Sequence, residues 1–544
     1  MRLARMGSAF PTRLSFMRVL TRRLFADNAE VTCPIWELND EGYGRAVYSI
    51  RLGGNTYSLV VFSTELEPGK RSDRVIAEAW DASFVLFDGM PSNEDMHRLE
   101  ANVPKQEAGR FEASELVLSR ANKSVRLFAH VVDRLSTGQQ PDGDMIGTTG
   151  YLMRTTAVYG NGKLGIADRR VIADRPELAG PFQAEMLTVW LIRGFTHDLV
   201  EHNAKIRNRE KYTPLAYAVK KNLGIGNSTG LGMAPFLIKH ALLLNNWVTA
   251  REVALARVRA VGRADNSAID RIKQLIVRAR QHVEQWNVED QRQMDRIRIL
   301  RAELREVELL VTPGWLEQPE PWDRLINTSQ RWSLECQELI VALVLEPYGE
   351  LIDDLSEQMV DTSGLRLDPA MTVGELNGLL KEHYKWALDI NFNQPGAEKY
   401  FWYTSLEKLE PRLGVRGKDP GDECEMPLDI ARLVGALYQA AGRVEPEQSL
   451  AMFLTRHPQY RSLVRRVQAS KHHSYSEICD NLIGADCMPL DILRFKLSFF
   501  GASKCDPKSN LWTRINMYQG APLFEEIVNG DSDDWWLPVL RLQP

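Results

Sequence analysis

The chain has 544 residues, 44% of them hydrophobic and 26% charged, a balance that excludes a disordered or collagen-like polypeptide. Its 72 acidic and 67 basic side chains leave a formal charge of -5, so there is no global cationic field to hold a nucleic acid and none is expected as a partner. Six cysteines (Cys33, Cys336, Cys424, Cys479, Cys487, Cys505) form no Cys-x-x-Cys pair and no zinc spacing, which points to a reducing cytoplasm and inert thiols. Nowhere do about 18 or more apolar residues run together, so no membrane span is expected.

The first 26 residues carry Arg2, Arg5, Arg13, Arg18, Arg22 and Arg23 and no acid, with Leu14, Phe16, Met17 and Leu20 available as an apolar face. That composition suits an organelle transit peptide, while Pro11 and the lack of a continuous apolar core suit an N-terminal arm packed on the body. Alternation then begins. Residues 46–52, Gly53-Gly54-Asn55 and residues 56–63 read as a β-hairpin, and Ala82 to Phe87 adds a third strand to a small antiparallel sheet. Ser92-Asn-Glu-Asp starts a helix, and a second helix is expected from Ala113 to about Leu135, with Leu116, Ala121, Val125, Phe128 and Val132 inward. These elements make an N-terminal α+β unit, 1–140, with a basic arm.

A central helical unit, 141–265, follows. Gly160-Asn-Gly-Lys-Leu-Gly165 lacks the ending of a phosphate loop and reads as a surface turn. Phe182 to Ile206 is helical, and its section Met186 to Ile192 is apolar on nearly every side, which marks a helix buried in the body. Every fourth position on it gives Arg193, His197 and Glu201, a stripe in which a carboxylate could orient a histidine beside an anion-holding arginine, or equally a buried ion-pair network. His197 and His202 stand roughly 140° apart on the helix and cannot share one ion, although His197 and Glu201 with a distant His240 could hold a transition metal.

Gly224-Ile-Gly-Asn-Ser-Thr-Gly-Leu-Gly-Met-Ala-Pro-Phe236 packs four glycines between two helical segments. Read as a loop before a helix that starts at Pro235 and runs to about Val261, it would present Gly226, Asn227, Ser228, Thr229, Gly230 and free backbone N–H groups to a small anion. Its GxGxxxGxG spacing after a helix is not a dinucleotide fingerprint. From Ser267 apolar residues keep one register through Ile269, Ile272, Ile276, Ala279, Val283, Trp286, Ile297, Leu300, Leu304, Val307 and Val311. This predicts one coiled-coil-like helix of about 45 residues, on the order of 65 Å long. It occupies the segment 266–315 and could support a homodimer through 267–311.

The segment 316–420 continues the helical body with an apolar helix from Trp322 to Leu345 and another from Thr372 to about Leu388. Asn391, Asn393 and Gln394 beside Tyr400, Trp402 and Tyr403 have the chemistry of a pocket wall. The C-terminal helical unit, 421–544, contains two echoing helix starts, Met426-Pro-Leu-Asp-Ile and Met488-Pro-Leu-Asp-Ile. The expectation is a mainly α protein, a multi-helix body carrying a small N-terminal sheet. Its function is read as intracellular small-molecule metabolism by acid/base chemistry, elimination or hydrolysis. His197 would be the acid/base group, Glu201 its orienter, and Arg193 or Arg154 with the glycine loop would hold an anionic substrate, with Tyr159 and Lys163 as further donors. No motif specifies a cofactor. The competing readings are a helical scaffold that dimerises through the long helix and a transition-metal enzyme.

Overall fold

A computed structural model of the chain describes residues 12–67, 79–104, 112–155, 174–179, 182–230, 243–286, 288, 290–360, 367–389, 391–395, 402–403, 412–415, 424–472, 494, 497–498, 500–501, 504–507 and 512–528. Chain contacts divide it into two compact units: 2–229 with 254–353 and 489–544, and 230–253 with 354–488.

The first unit is built on a mixed sheet far larger than expected. Its nine strands are β1 (Glu30–Leu38), β2 (Gly44–Leu52), β3 (Asn55–Ser63), β4 (Ala82–Asp88), β5 (Glu115–Lys123), β6 (Tyr151–Thr155), β7 (Gly224–Gly230), β8 (Lys504–Pro507) and β9 (Trp512–Met517), in the order β1-β2-β3-β4-β5-β6-β7-β9-β8. Strands β1 to β6 are antiparallel in succession, β7 joins β6 in parallel, and β8 pairs antiparallel with β9. The sheet curls into a half-barrel. A mainly helical body with a small sheet is therefore wrong for this chain, which is α+β. The hairpin itself is as the sequence predicts: Gly53 and Gly54, at φ +60° and +82°, make a turn in which both central residues are left-handed.

The expected helix from Ala113 is instead β5 followed by a shorter helix. Every residue of β5 is buried, because the strand lies inside the sheet with both faces covered, and alternation is invisible in such a strand. Helix α2 (Asn93–Asn102), started by a Ser92–Asp95 capping box, covers one face, where Met96, Leu99 and Val103 meet Val47, Val60, Phe62, Val85, Phe87 and Leu118. On the other face lies α4 (Gln183–Arg207), whose Phe195 ring packs on Phe84, Tyr48 and Trp36. Helices α1 (Phe16–Ala26) and α3 (Leu127–Ser136) pack on α4. Leu14, Phe16, Met17, Leu20 and Leu24 are buried, so residues 14–24 are part of the core, with Arg18 paired to Glu346 inside it.

The long seam is two helices. Helix α6 (Asn266–Glu284) and helix α7 (Gln291–Leu310) form an antiparallel hairpin, joined by Arg280–Glu308 at 2.6 Å, Arg305–Glu284 at 3.5 Å and Arg301 Nε to the Val283 carbonyl at 3.1 Å. Asp290 is the N-cap of α7 and accepts from the Gln293 N–H at 3.1 Å. The apolar register continues across the break because both halves line one hairpin core. A homodimer through 267–311 would need a seam that this hairpin already covers. The Trp322 to Leu345 segment likewise divides, into α8 (Pro321–Ser329) and α9 (Leu334–Leu345), the latter capped by Ser333.

The second unit holds helices Val373–His383, Leu428–Ala441, Leu450–Arg456 and Arg461–His472, and a three-stranded antiparallel sheet of Trp402–Tyr403, Arg412–Val415 and Cys424–Pro427. Val373, Leu376, Leu380, Val434, Leu437, Phe453, Val464 and Val467 form its core. Of the second Met-Pro-Leu-Asp-Ile copy and its continuation, the described part is Arg494. Among the described residues no helix is long and apolar enough to cross a membrane.

Candidate functional site

The described part of the glycine-rich stretch, Gly224–Gly230, is a strand rather than a loop. Its glycines serve close packing: a Cβ on Gly224 would collide with the Met517 carbonyl, and one on Gly226 would meet the Tyr151 ring at 2.6–2.7 Å. Asn227 is buried, and its Nδ2 donates to the Thr155 carbonyl at 2.9 Å across to β6. Arg154, buried on β6, is the register partner of Gly226, so these two predicted residues are neighbours on parallel strands. Ser228, Thr229 and Gly230 continue the backbone of β7. The expected helix start at Pro235 lies outside the described residues, as do Tyr159, Lys163, His240 and Tyr400; a helix is described from Leu243 to Arg259.

The amide cluster is an exposed turn. Asn391 Oδ1 accepts from the Asn393 N–H at 3.0 Å, the Asn391 carbonyl from the Gln394 N–H at 3.1 Å, and all three side chains face solvent. Tyr403 belongs to the short strand Trp402–Tyr403.

The stripe on α4 does not act as one group. Arg193, 2% exposed, spends its guanidinium on main-chain carbonyls: Nε on Leu223 at 2.9 Å, one terminal nitrogen on Ala521 at 3.0 Å and Pro522 at 3.1 Å, the other on Lys221 at 3.0 Å. Burial pulls its pKa down to about 9, so it stays charged at neutral pH. It bolts α4 to the end of α5 (Tyr217–Asn222) and to the turn before α10 (Phe524–Val528). Glu201 accepts from the Leu215 N–H at 3.2 Å and the Tyr212 hydroxyl at 3.3 Å, and pairs with Lys220 at 3.3 Å. It secures the turn after α4 and positions Lys220 rather than His197.

What gathers instead is a cleft walled by Trp190, Gly194, His197, Asp198, Lys220, Phe524 and Glu525. Its open space, about 20 Å³, suits a single water or hydroxyl. Phe524 lies against Trp190 with centroids 4.5 Å apart, and a Cβ at Gly194 would collide with the Phe524 ring, so glycine there lets the wall approach the helix. His197 is 3% exposed. Its Nε2 is buried with no hydrogen-bond partner. Burial first, then the charges of Arg193 and Lys220, hold the imidazole pKa well below its usual value. It is therefore neutral at pH 7.

Asp198, the next residue, accepts from the Tyr48 hydroxyl at 2.5 Å. Burial raises its pKa, aided by the charges of Glu201 and Glu525 and opposed by the Tyr48 bond and by Lys220. Behind Tyr48 stands Cys33, an exposed thiol whose pKa burial of its sulfur and the Asp198 charge raise to about 11. Asp198, Lys220 and Tyr48 are functional candidates that sequence reasoning missed. Asp198 is adjacent to His197 in the chain, which was a usable signal; Tyr48 is 150 residues away and carried none.

Among the described residues no group of three His, Cys, Asp or Glu side chains gathers as a metal site. Compared with models of protein families, with curated proteins and with solved structures, the chain matches none of them.

Proposed function

We propose that this chain is a cytoplasmic enzyme of small-molecule metabolism that works by acid/base chemistry, hydrolysis or elimination, in the α4 cleft. The observation that carries this reading is that His197, Asp198 and Lys220 line one small cleft on α4, with His197 Nε2 buried and without a partner. A buried polar atom without a partner costs about 1–3 kcal/mol, and groups of perturbed pKa gathered in a cleft are characteristic of functional sites. In this reading neutral His197 accepts the proton from the reacting hydroxyl or water, Asp198 is the carboxyl that exchanges protons with it, and Lys220 meets the anionic group of the substrate. The role first read for Arg193 passes to Lys220, because the guanidinium is committed to carbonyls.

The test is a turnover screen of the purified chain on small carboxylate and phosphate esters and on hydroxy acids. A stabilised ligand, found by thermal shift, marks the compounds to assay. Activity that falls at least about a hundredfold in Asp198→Asn, with the thermal midpoint kept, supports the reading. Activity that survives both Asp198→Asn and His197→Gln would sink it.

A further inference from the structure

The β1–β2 hairpin is joined to the C-terminal half of α4 by His202. Its Nε2 lies 2.9 Å from the Asn39 carbonyl in the turn, and the Trp36 indole N–H on β1 donates to its Nδ1 at 3.4 Å. An indole N–H only donates and a carbonyl only accepts, so the two partners together demand a neutral ring with its proton on Nε2. The turn is also seated without the ring. Asn39 Oδ1 accepts from the Glu41 and Tyr43 N–H groups at 3.1 and 2.8 Å, and Gly42, at φ +83°, lies so close to α4 that a Cβ there would meet Asn203 Oδ1 at 2.5 Å.

We infer that His202 is an acid-released latch: protonating its ring frees the Trp36 indole and leaves the hairpin turn in place. The imidazolium is a donor at both nitrogens, so Nδ1–H confronts the indole N–H and that bond is lost, whereas Nε2–H keeps the Asn39 carbonyl. The indole N–H belongs to the positive edge of its ring, which repels the added charge; the two ring centroids are 5.7 Å apart. Of the charged side chains on the elements that meet here, Glu37 is paired with Arg45, Glu201 with Lys220 and Glu526 with Lys221, and Asp198 accepts from Tyr48. Asp40, Glu41, Lys205 and Glu525 complete them, and among the described residues none forms an ion pair with His202. Trp36 also packs edge-on against Tyr48, with centroids 6.5 Å apart, which places the latch one ring away from Asp198. The latch does not depend on what the α4 cleft does.

The experiment follows the Trp36 indole 15N–1H signal, assigned through Trp36→Phe, and the His202 ring signal, recognised by its cross-peaks to Trp36, on the intact chain over the range of about pH 8 to 5 in which imidazoles protonate. Both should move with one midpoint. Below it, protection of the Trp36 indole proton from exchange, corrected for its intrinsic pH dependence, should fall about 2- to 10-fold, the loss of one ordinary hydrogen bond, while the Gly42 and Tyr43 amides keep theirs. In His202→Gln, which cannot take the charge, the Trp36 signal should stay flat. A Trp36 signal that is flat in the parent while His202 titrates would overturn the inference. So would one that still titrates in His202→Gln, since Asp198 acting through Tyr48 would then be its source. Protection lost at Gly42 and Tyr43 together with Trp36 would mean that the whole hairpin opens, and would overturn the selective latch. Comparing two midpoints in the parent keeps the test decisive even where His202→Gln folds poorly.

Discussion

Replacing Arg193 with methionine tests whether this side chain ties the walls of the cleft together. Its guanidinium donates to the carbonyls of Leu223, Ala521, Pro522 and Lys221 at 2.9–3.1 Å, and methionine keeps much of the volume while removing every donor. Four hydrogen bonds to a charged group, at about 1.5–3 kcal/mol each, would sum to roughly 6–12 kcal/mol. Burying the guanidinium, however, itself costs several kcal/mol, which the variant recovers, so the expected net loss is about 3–5 kcal/mol. That is a large part of a typical stability of about 5–15 kcal/mol. Urea titration gives the midpoint, and hydrogen exchange read on residues 217–227 and 518–526 locates the loss. Both segments should open together in Arg193→Met, and Arg193→Lys, which keeps the charge without the planar fork, should fall between. A loss under about 1 kcal/mol with unchanged exchange in both segments would refute the argument, because the carbonyls would then have found other donors.

Buried neutral His197 makes stability fall on acidification: its folded pKa lies below the unfolded value of about 6.5, so the unfolded chain takes up the proton first and stability is lost as pH drops below that value. Urea midpoints at pH 7.5 and 5.5 should differ less in His197→Gln than in the parent; an equal difference would assign the effect elsewhere. Exposed Cys33 should alkylate about 20-fold more slowly at pH 8 than an ordinary thiol, since a pKa of about 11 cuts the thiolate fraction more than higher nucleophilicity restores it. Asp198→Asn should speed that reaction, and an unchanged iodoacetamide rate would break the proposed Asp198–Tyr48–Cys33 coupling. Gly226→Ala should cost about 1–3 kcal/mol and be partly rescued by Tyr151→Leu, because the added methyl meets a ring. Gly224→Ala should not be rescued in this way, since its methyl meets backbone; equal rescue of both would contradict the packing.

The sequence by itself determined those elements whose pattern is local. The β2–β3 hairpin was legible because Gly53-Gly54 sits between alternating runs, and α4 because Met186 to Ile192 is apolar on nearly every side. The seam of α6 and α7 was legible as an apolar register but not as two helices, since a hairpin core and one long helix share that periodicity. Only the tertiary structure decided the rest. Strand β5 was hidden by burial of both faces, and β7 by glycines whose purpose is contact with Tyr151 and Met517, distant in sequence. Arg193, His197 and Glu201 were correctly placed on one buried helix, yet their partners come from Leu223, Lys220, Tyr212 and residues 521–522. Helical spacing fixes which side chains share a stripe. What each one bonds depends on the elements packed against it, and so the catalytic stripe became a pin, a neutral acceptor and a tether.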